Sequence, residues 1–184
     1  MLKQIIIYCL IMLCFTSCNE QSKVKAFLDK YEFEDFSQFN SVSVFIRGVD
    51  GENNPIVMIN APHWIYDTSR VGLYVVILDK KSNQIIETKW TLTENIVDAD
   101  TVKLQQLIQT FIKYRIPRLN VDTSGNVFVY LKDNETLALA RFINNSEFTK
   151  YNIEAWRNIK GNWYKPVYYN YSVIINSSSM LESN

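Results

Sequence analysis

Residues 104–112, Leu-Gln-Gln-Leu-Ile-Gln-Thr-Phe-Ile, carry the clearest structural pattern in the chain. The apolar side chains recur at i, i+3, i+4, i+7 and i+8, which places all of them on one side of an α-helix. Asp98 and Asp100 precede this segment, where a side-chain cap and a negative charge favour the start of a helix. Pro117 ends it, because proline has no backbone N–H and restricts the residue before it. A helix with one apolar side needs a second layer to bury that side.

Segments typical of β-strands lie on both sides of the predicted helix and supply that layer. They are Val42–Ile46, Ile56–Ile59, Val71–Leu78 and Ile85–Leu92 before it, and Leu119–Val121, Val127–Leu131 and Thr136–Phe142 after it. Polar turns rich in Gly, Asn and Asp separate several of them, as in antiparallel hairpins. We therefore predict a single α+β domain over residues 24–175, in which a mainly antiparallel sheet packs against the 104–112 helix. Segments 71–78 and 85–92 are predicted to form its central hairpin, with 71–78 covered on both faces.

A second, shorter helix is predicted near residue 24, because Val24, Phe27, Leu28 and Tyr31 recur at helical spacing. A helix followed by strands therefore occurs twice along the chain. Residue identity between the two halves does not support a duplication.

The stretch after this first helix, Glu32-Phe33-Glu34-Asp35-Phe36, alternates acidic and aromatic residues, and Phe39 follows it. We interpret the stretch as a connector that its three Phe side chains pin to the domain. The alternative is that it lies in an apolar groove of a partner.

The first residues of the chain have the layout of a secretory signal peptide. Lys3 gives a positive start, and an unbroken apolar run of eleven residues follows from Ile5 to Phe15. The run is too short to span a bilayer, which takes roughly 20 apolar residues. Residues 1–17 are therefore predicted to be a signal peptide that directs the chain out of the cytoplasm.

The end of this leader, Phe15-Thr16-Ser17-Cys18, resembles the lipobox of bacterial lipoproteins. The resemblance covers only the first eighteen residues, and Phe15 stands where Leu is usual. It implies that the signal is cut before Cys18 and that this cysteine carries a lipid. Residues 18–23 would then be the lipidated cysteine and a tether, and the protein would be held on a membrane of the bacterial cell envelope.

Composition narrows the classes of function further. Loss of Lys3 with the leader leaves 18 of the 19 Lys and Arg residues against 19 Asp and Glu, so the mature chain lacks the basic excess of a nucleic-acid binder. The densest basic stretch, Lys113, Arg115 and Arg118, is expected to complement the negative end of the helix dipole. Cys9 and Cys14 fall inside the leader, so only Cys18 remains and no intramolecular disulfide is expected.

The sequence contains no recognisable catalytic or metal-binding motif. His63 is the single histidine, and a zinc site commonly takes three or four ligands. No Gly-x-Ser-x-Gly nucleophile elbow or glycine-rich phosphate loop is present. Arg141 shares a predicted strand face with Leu137 and Leu139, and we expect its side chain to reach water rather than to form a buried anion site. We predict that the protein has no cofactor and is not an enzyme.

Three hypotheses for function remain at this point. The first is a lipid-anchored module that binds a protein, as an accessory subunit or an immunity-type protein. The second is a glycan-binding module that uses the aromatic-rich region near the C-terminus, in particular Trp156, Trp163 and Tyr164, although such residues are commonly core residues. The third is a small hydrolase with paired carboxylates, and the sequence does not single out a pair. Residues 176–184 are predicted to be a mobile tail.

Overall fold

The computed structural model describes residues 21–61, 73–90, 101–132, 137–144 and 155–167. The chain divides into two compact units, residues 1–34 and residues 35–184. In the first unit, residues 21–31 form a helix, α1, in which Phe27, Leu28 and Tyr31 are buried. The predicted helix is therefore present, and it also includes residues 21–23, which were expected to belong to a tether. Cys18 and the leader lie outside the described residues.

The second unit contains one sheet of nine strands among its described residues. The strands are β1 Val42–Val49, β2 Pro55–Asn60, β3 Leu73–Leu78, β4 Ile85–Trp90, β5 Arg118–Val121, β6 Val127–Tyr130, β7 Leu137–Arg141, β8 Trp156–Lys160 and β9 Trp163–Pro166. Their order is β4-β3-β2-β1-β5-β6-β7-β9-β8, and every neighbouring pair is antiparallel. The α+β class and the mainly antiparallel sheet are therefore confirmed.

The predicted central hairpin, β3–β4, lies at one edge of the sheet instead. The centre is the pair β1–β5, because β5 is the fifth strand of the nine and β1 is its neighbour. The prediction that β3 is covered on both faces is also wrong. Its residues alternate between buried and half-buried, with Tyr74, Val76 and Leu78 on the buried side.

Helix α2 spans Thr101–Lys113 and has the predicted apolar stripe. Leu104, Leu107, Ile108 and Phe111 are each at most 2% exposed. The helix ends at Lys113. Two residues later, Arg115 adopts a left-handed conformation with φ of 54°, which stops the helix before Pro117. The predicted cap residues, Asp98 and Asp100, lie outside the described residues.

The two faces of the sheet differ in burial. Pairing in register places Val44, Ile59, Val76 and Leu119 on one face, and none of these four is exposed. We call this the buried face. The alternate residues of the same strands lie on the second face, and most of them are half-buried.

Two tight turns with matching hydrogen bonds lie at opposite ends of the central strand pair. In the β1–β2 turn, Asn54 N donates to Asp50 Oδ1 (2.8 Å) and Asn54 Nδ2 donates to Asp50 Oδ2 (3.1 Å). In the β5–β6 turn, Asn126 donates from the same two nitrogens to the two oxygens of Asp122, at 2.8 Å each. The halves of the sheet on either side of β1–β5 therefore begin with the same hairpin.

The asparagine of each turn also binds the backbone just after the third strand of its half of the sheet. Asn54 Oδ1 accepts a hydrogen bond from Lys80 N (3.4 Å), just after β3, and Asn126 Oδ1 accepts one from Ile143 N (3.1 Å), just after β7. Asn54 and Asn126 are buried, at 6% and 0% exposed. Each asparagine side chain donates to the aspartate of its own turn and accepts from one backbone N–H beyond it, which explains why it tolerates burial.

Helix α2 protects part of the edge strand β4. Gln105 Oε1 accepts a hydrogen bond from Ile85 N (3.0 Å), and Gln105 and Gln109 both donate to the carbonyl oxygen of Asn83. An edge strand otherwise presents its backbone groups to other chains. These two glutamine side chains form hydrogen bonds with backbone groups at and just before the start of β4, so those groups are not available to another chain.

We expect Asn126→Ala to lower the free energy of unfolding by about 2 kcal/mol, because the part-buried N–H of Ile143 loses its acceptor and Asp122 loses a donor. Urea denaturation at pH 7 measures this. The matched control is Ser43→Ala on β1. Ser43 Oγ is buried and makes no hydrogen bond in the described structure, so its removal should leave stability unchanged or slightly higher. Equal losses in the two variants would contradict the assigned role of Asn126.

Candidate functional site

A row of large side chains crosses the second face of the sheet at its centre. Met58 on β2 pairs with Phe45 on β1, Phe45 pairs with Arg118 on β5, and Arg118 pairs with Tyr130 on β6. The guanidinium carbon of Arg118 lies 5.5 Å from the ring centroid of Phe45 and 4.9 Å from that of Tyr130. Both distances are within the range of a cation–π contact. The two rings therefore hold the Arg118 side chain in the middle of the row.

A second arginine lies beside the same row, at a β-bulge. The β1–β2 register shifts between Ile46 and Gly48, so Arg47 is the extra residue on β1. Bulges change the direction of a side chain locally. The Arg47 side chain is exposed and its Nη1 lies 3.9 Å from Met58 Sδ. We call Phe45, Arg47, Met58, Arg118 and Tyr130 the arginine–aromatic patch.

The described strand residues of the second face carry a positive balance. Besides Arg47 and Arg118, the charged residues on this face are Glu87 and Lys89 on β4, whose side chains form an ion pair at 2.9 Å. Three cations and one anion leave an excess of two positive charges. Charges at the surface attract a partner of opposite sign more than they stabilise the fold. The patch is therefore suited to bind an anionic group.

The second face is covered differently toward β8. Phe128, Ala140, Phe142 and Trp156 form a buried cluster there, with the half-buried Tyr164 packed against it. The Phe142 ring lies 5.4 Å from the ring of Trp156 and 5.4 Å from that of Tyr164, both in edge-on arrangements. This end of the face is filled by its own aromatic side chains.

The structure does not bring together the three aromatic residues considered for glycan binding. Trp156 and Tyr164 lie on the second face, whereas Trp163 pairs with Arg141 on the buried face. Trp163 is 1% exposed and Trp156 is 7% exposed. A sugar ring stacks on an accessible aromatic face, so this burial gives a stacking platform at these tryptophans no support.

Arg141 is half-buried on the buried face, beside two aromatic rings. Its guanidinium carbon lies 4.9 Å from the ring centroid of Phe36 and 5.5 Å from that of Trp163. Its positive charge also helps to lower the pKa of Asp35, after the larger effect of the hydrogen bonds from Ser37. Arg141 thus belongs to the packing around Phe36.

The three Phe residues of the predicted connector have different environments. Phe36 and Phe39 are 1% and 0% exposed, so they hold this segment as predicted. Phe33 is 92% exposed, and the prediction is wrong for this residue.

The clear shifts of carboxyl pKa in the described residues are all downward. A hydrogen bond from the Asn54 backbone lowers the pKa of Asp50, and one from the Ser82 backbone lowers that of Asp79. A carboxyl group that acts as a general acid needs a raised pKa instead. These aspartates act as ionised acceptors that close turns, which gives the carboxylate hydrolase hypothesis no support.

The described part of the chain contains no group of three or more His, Cys, Asp or Glu side chains placed to hold a metal ion. His63 lies outside the described residues. None of the described helices is long and apolar enough to cross a membrane.

Comparisons with family models, with curated proteins and with solved structures found no match to this chain. The arginine–aromatic patch is therefore assigned from geometry alone. Sequence reasoning missed it, because Arg118 lies close to the end of α2 in the sequence and was attributed to the helix dipole. In the structure Arg118 is the first residue of β5. The available signal was the two-residue spacing of Phe45 and Arg47, but the predicted strand ended at Ile46, whereas β1 continues to Val49.

The turn aspartates give a prediction for pH dependence. A pKa lowered in the folded state means that the stabilisation is complete above the ordinary value of 3.8 and is lost as the pH falls through the folded value. We expect the free energy of unfolding to fall on acidification below pH 3.8, and to fall less in the Asp50→Asn, Asp79→Asn double variant. Urea denaturation followed by tryptophan fluorescence at a series of pH values measures both slopes. Equal slopes would contradict this role of the turns.

Proposed function

We propose that this chain is a lipid-anchored protein of the bacterial cell envelope whose folded domain binds a protein partner and catalyses no reaction. The observation that carries the proposal is the leader, an apolar run from Ile5 to Phe15 that is followed by Thr16-Ser17-Cys18. Its resemblance to a lipobox supports cleavage before Cys18 and lipid attachment to its sulfur.

Lipid attachment would make the membrane the working site of the protein. Each CH₂ group of an acyl chain buried in a bilayer contributes about 0.8 kcal/mol, and two or more chains give stable anchoring. By the resemblance, Cys18 carries a diacylglycerol and an acylated amine. The folded body would then need no membrane-spanning segment to stay at the membrane surface.

A binding role is supported by what the described residues offer chemically. The aspartates with lowered pKa close turns, and the patch on the second face presents two arginines and two aromatic rings without a catalytic group among them. An accessory subunit of an envelope complex and an immunity-type protein both need such a binding surface, held at the membrane.

Metabolic labelling with palmitate tests the anchor. Cells that make the full chain should incorporate label into it, and Cys18→Ala should abolish the label because the acceptor sulfur is gone. Cys9→Ala, within the leader, is the matched control and should keep the label.

Equal labelling of the Cys18→Ala variant and the wild type would overturn the anchor.

Pull-down of the labelled protein from detergent-solubilised envelopes should recover a stoichiometric partner. Repeated recovery of the chain alone would overturn the binding role.

A further inference from the structure

We propose that the arginine–aromatic patch is the docking surface and that its occupant is an acidic segment of the partner protein. This inference rests on the proposed partner-binding function and adds the surface and the chemistry of the partner. The juxtaposition that carries it is Arg47 beside Met58, with Arg118 between Phe45 and Tyr130, on the face of the sheet that has a positive balance.

The composition of the patch is that of a protein interface. Arg, Tyr, Phe and Met are enriched at the centres of interfaces, whereas Lys, Glu, Asp and Ser are depleted. All five residues of the patch belong to the enriched types. Residues that dominate binding energy are most often Trp, Tyr and Arg.

The surroundings of Arg118 prepare it for binding. The rings of Phe45 and Tyr130, at 5.5 and 4.9 Å, restrict the guanidinium. The backbone of Arg118 is held by its register pairs with the same two residues. An ordered side chain loses less conformational freedom when a ligand arrives. The planar guanidinium also matches a carboxylate with two parallel hydrogen bonds.

The net positive charge of the second face indicates that the occupant is negatively charged. The Glu87–Lys89 ion pair at 2.9 Å is neutral as a unit, so the net charge of the described strand residues on this face comes from Arg47 and Arg118. Because Arg47 is exposed, an incoming carboxylate meets it first. Complementary charges of this kind set orientation and association rate.

Two other anionic occupants fit less well. A bilayer surface takes up protruding apolar side chains, whereas Met58 is only 8% exposed and Phe45 and Tyr130 are half-buried. A nucleic acid needs many cations to displace its counterions, and this patch offers two arginines. An acidic protein segment needs only a few complementary contacts, so we infer a protein.

Site-specific photo-cross-linking in cells tests the inference. We place p-benzoylphenylalanine at position 45 of the full chain, and at position 130 as a second variant in case the first does not fold. The control probe is at position 86, because Ile86 is 56% exposed on the edge strand β4. The patch probe should cross-link to one protein, and mass spectrometry should map the attachment to a segment with more Asp and Glu than Lys and Arg. The probe at position 86 should not.

Charge reversal supplies the second readout. Arg47→Glu should lower the cross-linking yield at least tenfold, because a carboxylate in the patch repels an acidic segment. Since Arg47 is exposed, the urea midpoint should not change. Lys81→Glu is the matched control in the exposed β3–β4 turn, and it should leave the yield unchanged.

The inference is overturned if the patch probe attaches to lipid, to nucleic acid, to a segment without acidic excess or to nothing, or if Arg47→Glu and Lys81→Glu have equal effects. The pull-down separates this failure from that of the proposed function. A partner that co-purifies but does not cross-link at positions 45 and 130 contradicts the docking surface alone. The absence of any partner contradicts the binding function itself.

Discussion

The pairing of β1 with β5 is the interaction on which the rest of the sheet depends. Four register pairs, from Val42 with Val121 to Phe45 with Arg118, join strands that helix α2 separates in the sequence. Every other neighbouring pair connects strands from the same half of the chain. The β1–β5 contact therefore turns two sets of hairpins into one sheet. It also places Phe45 next to Arg118, which creates the centre of the arginine–aromatic patch.

The same pairing gives the sheet an approximate internal symmetry. From the centre, β1-β2-β3-β4 runs to one edge and β5-β6-β7-β9 runs toward the other, with β8 added outside. Each half opens with an Asp–Asn turn whose asparagine also binds the backbone after the third strand. The two halves are not identical, because register shifts interrupt the β1–β2, β3–β4, β6–β7 and β8–β9 pairings at different positions. The shift between β1 and β2 leaves Arg47 as an extra residue beside the patch.

The sequence predicted those parts of the fold that depend on local pattern. The stripe of α2 was visible because helical periodicity needs only neighbours along the chain, and most strands were visible for the same reason. The order of strands was not, since it depends on contacts between distant segments, and β3–β4 was placed at the centre on hydrophobicity alone. The repeated order of helix and strands was visible, but residue identity did not support a duplication, because the residues that match in the two turns are few: Asp50 and Asn54 in one, Asp122 and Asn126 in the other.

The candidate site was less predictable than the fold. Tertiary packing decides that Phe36 is buried and Phe33 is exposed, although both stand in the same acidic and aromatic stretch. Packing likewise buries Trp156 and Trp163, which the abundance of aromatic residues had suggested as glycan-binding residues. The patch depends on the register of β5 with β1, which has no local signal, and on Arg47 belonging to β1, whereas the predicted strand ended at Ile46. The proposed lipid anchor, in contrast, rests on the sequence of the leader alone.

Native-state hydrogen exchange tests the central claim most directly, because it reports the free energy of opening for each backbone amide. The account predicts that the paired amides of residues 42–45 and 118–121 exchange only through global unfolding, with the free energy obtained from urea denaturation. Opening of these amides at a clearly lower free energy than those of β2 and β6 would mean that the two halves separate before they unfold. That result would contradict a sheet organised around β1 and β5.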